Sequence, residues 1–370
     1  MTGPGPEATV PAPPEVEAAI DDAATIDDAV ERVSLSSRLR QTRTIVSILV
    51  PLAIIAYFVA LNWQALSRVP GLIAAANPVL VLLAFVVFYL GFPLRGVRWK
   101  MLLAGTGFRI GGRDSTEILF LSWLVNCLVP AKLGDVYRAY LLRINSTASL
   151  SRTFGTVFIE RVLDIFTIAL LGIAAGYWSF RSGLPQEIQV LFGVALVVVA
   201  LLAVALFTLR NFGRRIVTAL PLPQRITEFY DRFEQGVFGA IQRRQLPPLG
   251  GLCIAIWMTE SLRLYFVVQA LGFPDVELGI SGAVFVALIG SLLTAVPLSP
   301  AGLGIVEAGI VGILTLVYGV PLPEATAIAL LDRVISVFSV IVFGTILYAV
   351  SPLRRGAGLQ HTPGADAAPV

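Results

Sequence analysis

The chain alternates between long apolar stretches and short polar segments. An apolar stretch of about 20 residues is long enough to cross the hydrocarbon core of a membrane as a helix. The stretches are continuous and lack the alternation of barrel strands, so they predict helices. Spanning helices are predicted at residues 44–61, 77–94, 153–178, 187–209, 249–272 and 323–350.

Two further apolar stretches, 115–130 and 279–319, are interrupted by proline and glycine. The predicted fold is therefore an all-α polytopic membrane protein with about six full transmembrane helices and two broken helical elements, either re-entrant or short. Residues 1–43 are rich in proline, alanine and acidic residues, which predicts a disordered cytoplasmic tail. A transmembrane domain is predicted over 44–350, and a disordered tail over 351–370.

Composition agrees with a membrane protein and limits the chemistry. Hydrophobic residues make up 56% of the chain and charged residues 14%, outside the balance of a soluble domain. His361 is the single histidine, and Cys127 and Cys253 lie in apolar stretches. The chain therefore has too few histidines and cysteines for us to predict serine–histidine catalysis, cysteine–histidine catalysis or a zinc site. We predict no catalytic residue, no cofactor, no metal and no nucleic-acid partner.

The placement of basic residues predicts the orientation. Most lie beside one set of helix ends, and Arg95 and Arg98 are counted among them as a polar flank after the second predicted helix. By the positive-inside rule that side and both termini are cytoplasmic, in the plasma membrane. Stretch 115–130 is followed by Lys132, Arg138 and further arginines, which favours a re-entrant dip over a full crossing. The cytoplasmic loop 210–247 combines seven arginines with an apolar stripe. Its helix either lies in the membrane interface or packs on the bundle.

A short pattern occurs twice, as "PAKLGDVYR" from Pro130 and "PAGLGIVE" from Pro300. The two copies align without gaps, and each is followed in a later helix by an acid-Arg-Val triplet, at Glu160 and at Asp332. Three predicted crossings separate the copies, so the second would be inverted relative to the first. Inverted repeats with broken helices are typical of membrane transporters.

The proline and glycine residues predict helix breaks that suit an anion. A broken helix presents free N–H groups and a positive dipole end to a phosphate or carboxylate, and Lys132 and Arg138 would add full charges. Ordinary interfacial turns with solvated cations are the alternative. The candidate break residues are Pro130, Gly134, Pro297, Pro300, Gly302 and Gly304.

Ionisable residues inside the apolar stretches must pair, since unpaired they would cost on the order of 20 kcal/mol together. Arg161 with Asp164 and Glu260 with Arg263 have the i, i+3 spacing of helical neighbours. Asp332 and Arg333 point about 100° apart on a helix and need partners elsewhere. In these stretches acids outnumber arginines, which predicts an acid free to titrate; purely structural pairing is the alternative. The predicted phosphate-binding residues are Lys132, Arg138, Arg161, Arg263 and Arg333, and their charge partners are Asp135, Glu160, Asp164, Glu260, Glu307 and Asp332.

Five segments resemble signature blocks of a known family: "PLRGVRWKMLL", "NCLVPAKLGDVYRAYLL", "FIERVLDI", "VPLSPAGLGIVEAG" and "LLDRVISV". They are similar to the lysylphosphatidylglycerol synthase transmembrane-region family, which includes flippase-like domain proteins and uncharacterised UPF0104-type membrane proteins. The resemblance implies a relative of the lipid-translocating half of the multiple peptide resistance factor. The sequence ends at the last predicted helix without a soluble aminoacyl-transferase domain, so lysyl transfer is not expected of this chain alone.

The leading functional prediction is a lipid transporter that moves an anionic phospholipid or a polyprenyl-phosphate-linked lipid across the cytoplasmic membrane. One alternative is a membrane subunit that presents a lipid to a separate aminoacyl- or glycosyl-transferase, with Asp135 and Glu160 as a carboxylate pair. A structural scaffold is another. The sequence leaves the oligomeric state open.

Overall fold

The computed structural model describes residues 59–130, 132–180, 186–219, 224–274, 276, 278–294, 299–356 and 358–359, with a few isolated earlier positions. This part of the chain is helical and contains no strand, which confirms the all-α membrane fold. The segment 1–43, most of the predicted helix 44–61, Pro297 and the residues from 360 onward lie outside the described part.

Up to residue 239 the described residues form eight helices: α1 Trp63–Leu66, α2 Val69–Ala74, α3 Pro78–Gly105, α4 Gly112–Leu128, α5 Leu133–Ile144, α6 Leu150–Ser179, α7 Gln186–Ala219 and α8 Gln224–Gly239. The rest of the described chain adds α9 Leu246–Leu271, α10 Ile280–Leu293, α11 Ile305–Leu316, α12 Leu322–Arg333 and α13 Ser339–Val350. A π-helical turn, Val334–Phe338, joins α12 to α13.

Four of the described helical stretches are long and apolar enough to cross a membrane: Pro78–Gly105, Leu196–Arg215, Arg243–Leu271 and Leu322–Val350. Helices α10 and Pro300–Leu316 are apolar but shorter. Helix α6 has the length of a crossing and carries several charges in its first half. Long helices thus occupy the predicted spans after residue 77, and short ones occupy the two interrupted stretches.

Helix α3 extends well beyond its predicted end at residue 94. Asn77 caps its first turn by accepting hydrogen bonds from the N–H groups of Val79 and Leu80, and the helix continues through Pro93 to Gly105. Arg95 and Arg98 therefore lie inside the helix and are 4% and 1% exposed. They are buried in the helix bundle and do not form an exposed polar flank, which corrects the prediction from the sequence.

Small residues bring α3 close to its neighbours. A Cβ added at Gly91 would meet Thr259 of α9, and one added at Gly96 would overlap Thr116 of α4. Small residues of this kind allow membrane helices to approach closely. Helix α3 contributes several buried residues to the main apolar cluster, among them Trp99, which is fully buried.

The chain breaks at both predicted proline and glycine patterns. The first break follows α4, and Lys132 adopts left-handed dihedral angles (φ 52°) before α5 begins. The second follows α10 and contains a short 3-10 turn, Pro300–Gly302. Gly302 and Gly304 have φ values of 71° and 86°, which glycine adopts without strain. The sequence pattern therefore marks both interruptions.

The predicted loop 210–247 is mostly helical. Helix α7 continues to Ala219, and α8 packs against α6, where Gly155 and Gly236 allow close contact of the two backbones. Val237 is fully buried in a small apolar cluster, whereas Phe229 is 47% exposed. One face of α8 thus packs on the bundle, as one of the two interpretations predicted.

Candidate functional site

A cavity of about 210 Å³ lies where the two chain breaks meet. Helix α4, which leads into the first break, contacts the Pro300–Gly302 turn of the second. Asn126 and Lys132 line the cavity from the first break, and Ser299 and Gly302 line it from the second. Residues from α3, α6, α9, α10, α11 and α12 form the rest of the wall.

The described lining of this cavity is rich in charge and carries more positive than negative groups. Two tryptophans and several aliphatic side chains surround the charges. The cationic side chains are Arg95, Lys132, Arg161, Arg263 and Arg333, and the carboxylates are Asp164, Glu260 and Asp332. Arg161 and Arg333 pair with Asp135 and Glu307, which lie outside the lining, so Lys132 is the cation that remains in excess. The cavity therefore suits an anion in apolar surroundings.

Arg161 of α6 holds the first break through Asp135. Its Nη2 and Nε lie 2.7 and 3.0 Å from the two carboxylate oxygens of Asp135. Its Nη1 lies 3.3 Å from Oδ2 of Asp164, so the predicted i, i+3 pair forms. The Arg161 side chain remains 33% exposed, which leaves part of the guanidinium open to the cavity.

Arg333 of α12 holds the second break in the same manner. Its Nε lies 2.7 Å from Oε1 of Glu307, and its Nη2 donates to the carbonyl of Ala301 at 2.5 Å. Oε2 of Glu307 accepts a hydrogen bond from the Gly304 N–H at 2.7 Å. The arginine therefore fixes both the 3-10 turn and the start of α11.

The two breaks share a detailed arrangement. Asp135 and Glu307 each occupy the third position of a 12-residue helix. Each pairs with an arginine 26 residues later in the chain. Helix α5 begins after Lys132 and α11 begins after Gly304, and both of these residues have positive φ. Counted from Pro130 and Pro300 to the start of the next helix, the second break is two residues longer than the first. The gap-free alignment of the two sequence patterns thus misses the structural correspondence by two positions.

A chain of ion pairs crosses the bundle beside the cavity. Arg95 Nη2 of α3 lies 2.6 Å from Glu260 Oε1, and Glu260 Oε2 lies 3.2 Å from Arg263 Nη2. Arg263 Nη1 lies 3.3 Å from Asp332 Oδ2 of α12. The predicted Glu260–Arg263 pair forms, and Asp332 and Arg333 find partners on other helices, as their spacing predicts.

Buried arginines neutralise the remaining acids and correct the predicted acid excess. Arg98 lies 2.9 Å from Glu160 and 2.6 Å from Asp164, and Arg138 lies 3.0 Å from Glu160. Sequence reasoning placed Arg95 and Arg98 in a polar flank, although their i, i+3 spacing in "PLRGVRWK" is that of one helix face. Counting them with Arg138 removes the basis for an acid left free to titrate.

Arg138 lies apart from the cavity. Its side chain is 1% exposed, is paired with Glu160 and stacks 4.9 Å from the ring of Trp99. Asp135 and Glu160, the carboxylate pair considered from the sequence, bind different arginines. Of the predicted phosphate-binding residues, the structure brings together Lys132, Arg161, Arg263 and Arg333.

Lys132 differs from the other cations of the cavity. Arg95, Arg161, Arg263 and Arg333 each have a carboxylate partner, whereas the Lys132 ammonium forms no ion pair with any described residue. The residue is partly buried and lines the cavity. It therefore supplies an uncompensated positive charge there. No cluster of three metal-binding side chains occurs in the described part of the chain.

Comparison with known proteins agrees with this architecture. The family model described as "Lysylphosphatidylglycerol synthase TM region" matches residues 45–344. The chain belongs to this family. The match includes both chain breaks and every ionisable residue of the cavity.

Several known proteins are similar to this chain. A UPF0104 membrane protein of Methanocaldococcus jannaschii is 37% identical over 228 residues, which cover 61% of this chain and 93% of the relative. A UPF0104 membrane protein of Methanothermobacter thermautotrophicus is 27% identical, with 73% and 84% covered. Glycosyltransferase AglD of Haloferax volcanii is 28% identical over 73% of this chain, but only 48% of AglD is matched.

Proposed function

We propose that this protein moves an anionic phospholipid or a polyprenyl-phosphate-linked lipid across the cytoplasmic membrane. The observation that carries the proposal is the positively charged cavity between two broken helices, with Lys132 unpaired within the described residues. A phosphate group satisfies this charge, and the apolar wall accommodates the part of the lipid next to the headgroup. The family to which the chain belongs is named for the membrane region of a lipid-modifying enzyme.

The architecture supports alternating access as the mechanism. The two break-and-helix units share the helix length, the acid at the third position and the arginine 26 residues later. The long helices α6, α7 and α9 separate them along the chain, which gives an inverted repeat if each of the three crosses the membrane. Rocking of one unit against the other would then open the cavity to each leaflet in turn. Both termini are cytoplasmic in this scheme.

Reconstitution into vesicles tests the proposal. Fluorescent phosphatidylglycerol and a fluorescent polyprenyl phosphate are each incorporated, and an impermeant quencher measures how fast the label leaves the outer leaflet. We expect faster loss with the protein than in protein-free vesicles. Lys132→Ala and Arg161→Ala each reduce the rate by about ten- to a hundredfold, since each removes a charge-assisted hydrogen bond.

Lys100→Ala is the matched control for Lys132→Ala, because Lys100 is exposed on α3 and does not line the cavity. We expect it to retain the wild-type rate. Rates equal to those of protein-free vesicles across several lipid classes would refute the proposal.

A second candidate is favoured by the similarity to glycosyltransferase AglD. In this alternative the protein presents a lipid-linked substrate to a separate transferase. Co-purification with such an enzyme, and product formation only when both proteins are present, would support it. The same vesicle assay separates the candidates, because presentation within one leaflet requires no translocation.

A further inference from the structure

An apolar groove of about 70 Å³ lies between α6, α7 and α10, next to the charged cavity. Its floor is formed by Phe285 and Leu288 of α10, which are 1% and 0% exposed. Val194 and Val198 of α7 form its outer edge and are 55% and 37% exposed. The groove is therefore closed toward the bundle and open toward the outside.

The groove continues directly from the cavity. Ile165, Ile168 and Leu292 line both of them. One face of α6 carries Arg161, Ile165, Ile168 and Gly172 at helical spacing. This face therefore changes from charged to apolar along the helix axis. A single elongated site thus has a cationic end and an apolar end.

The length of this face matches one membrane leaflet. The eleven helical steps from Arg161 to Gly172 rise about 16 Å. Half of the hydrocarbon core measures about 15 Å. A hydrocarbon chain that starts at a phosphate beside Arg161 would therefore reach the groove at Gly172.

We propose that the groove binds one hydrocarbon chain of the same lipid whose phosphate lies at Lys132 and Arg161. The inference rests on the proposed function and defines its substrate class further: a phosphate-bearing lipid of which one chain is held by protein. The described lining of the groove is entirely apolar, and its shared residues with the cavity leave no polar barrier between the two. Burial of each methylene group strengthens binding in proportion to the apolar area removed from water.

Gly172 provides the test, because a Cβ added there meets no heavy atom within 4 Å. Gly172→Trp starts from this open Cβ position and adds an indole ring to the groove lining. Gly250→Trp is the matched control: Gly250 is an exposed glycine of α9, also with open space around its Cβ, and lies outside the groove. The full-length protein is reconstituted with phosphatidylglycerol that carries a photoreactive diazirine in the middle of one acyl chain. Crosslinked peptides are then mapped.

We expect crosslinks on the groove faces of α6 and α10 in the wild type and in Gly250→Trp. In Gly172→Trp their yield should fall about tenfold or more, since excluding two methylene groups already accounts for about a tenfold change in binding. An unchanged yield in Gly172→Trp, or crosslinks spread evenly over the outer helix surfaces, overturns the inference.

Failure of the groove assignment and failure of the proposed function give different results. If the wild type moves lipid and Gly172→Trp moves it equally fast with unchanged crosslinks, only the groove assignment is wrong. If specific groove crosslinks form but the wild type moves no lipid, the groove binds a lipid chain and the transport function is wrong.

Discussion

Replacing Arg333 with methionine tests how the second break is held. The arginine side chain is 8% exposed and its partner Glu307 is 16% exposed, so the substitution leaves a largely buried carboxylate and the Ala301 carbonyl without their donor. Loss of one partner from a buried ion pair costs about 3–5 kcal/mol. Glu307 keeps its hydrogen bond from Gly304, which places the expected loss near the lower end of that range.

A loss of about 3 kcal/mol lowers the midpoint of thermal unfolding by roughly 6–12 °C, scaling from domains of 150–250 residues. Tryptophan fluorescence of the detergent-solubilised protein, followed during heating, measures this shift. Adding Glu307→Gln to Arg333→Met removes the buried charge as well, so the double variant should recover about half of the lost stability.

Arg161→Met is the corresponding change at the first break. Arg161 is 33% exposed, and its partner Asp164 retains Arg98, so we expect a smaller loss of about 1–3 kcal/mol. Equal shifts for Arg161→Met and Arg333→Met, or a double variant no more stable than Arg333→Met alone, would refute this account of the two breaks.

Three further predictions concern packing and access. Gly134→Leu should prevent stable expression, since a Cβ there overlaps the α4 backbone, whereas Gly312→Ala meets open space and should express normally; size-exclusion chromatography distinguishes them. Cys127 lines the cavity and should react with a small thiol reagent much faster than Cys253, which is 2% exposed, as mass spectrometry of labelled peptides will show. Gly236→Leu should detach α8 from α6 and increase proteolysis between α7 and α9; cleavage at the wild-type rate would show that the contact is dispensable.

The sequence predicts the helices and the two breaks well because each has a strong local signal. Continuous apolar stretches specify most of the long helices, and proline with glycine marks the interruptions near Lys132 and Gly304. Charged residues inside apolar stretches predict pairing, since lipid offers them no alternative. Helical spacing then identifies the Arg161–Asp164 and Glu260–Arg263 pairs.

The sequence predicts less well where distant helices determine the outcome. Arg95 and Arg98 follow an apolar stretch and have the pattern of a basic flank, yet carboxylates of α6 and α9 stabilise them inside the bundle. No local signal gives the two-residue shift between the breaks, because a 3-10 turn in the second break adds the extra length. The apolar groove likewise depends on how α10 packs against α6.

The ion-pair chain from Arg95 to Asp332 has a consequence for biogenesis. Arg95 is synthesised 165 residues before its partner Glu260. At about 5–20 residues per second this interval lasts roughly 10–30 s, far longer than helix formation requires. During that time α3 carries an unneutralised guanidinium, which must reach toward water or lipid headgroups or remain beside the insertion machinery. Helix α3 therefore gains its buried partner only after 260 of the 370 residues have been synthesised.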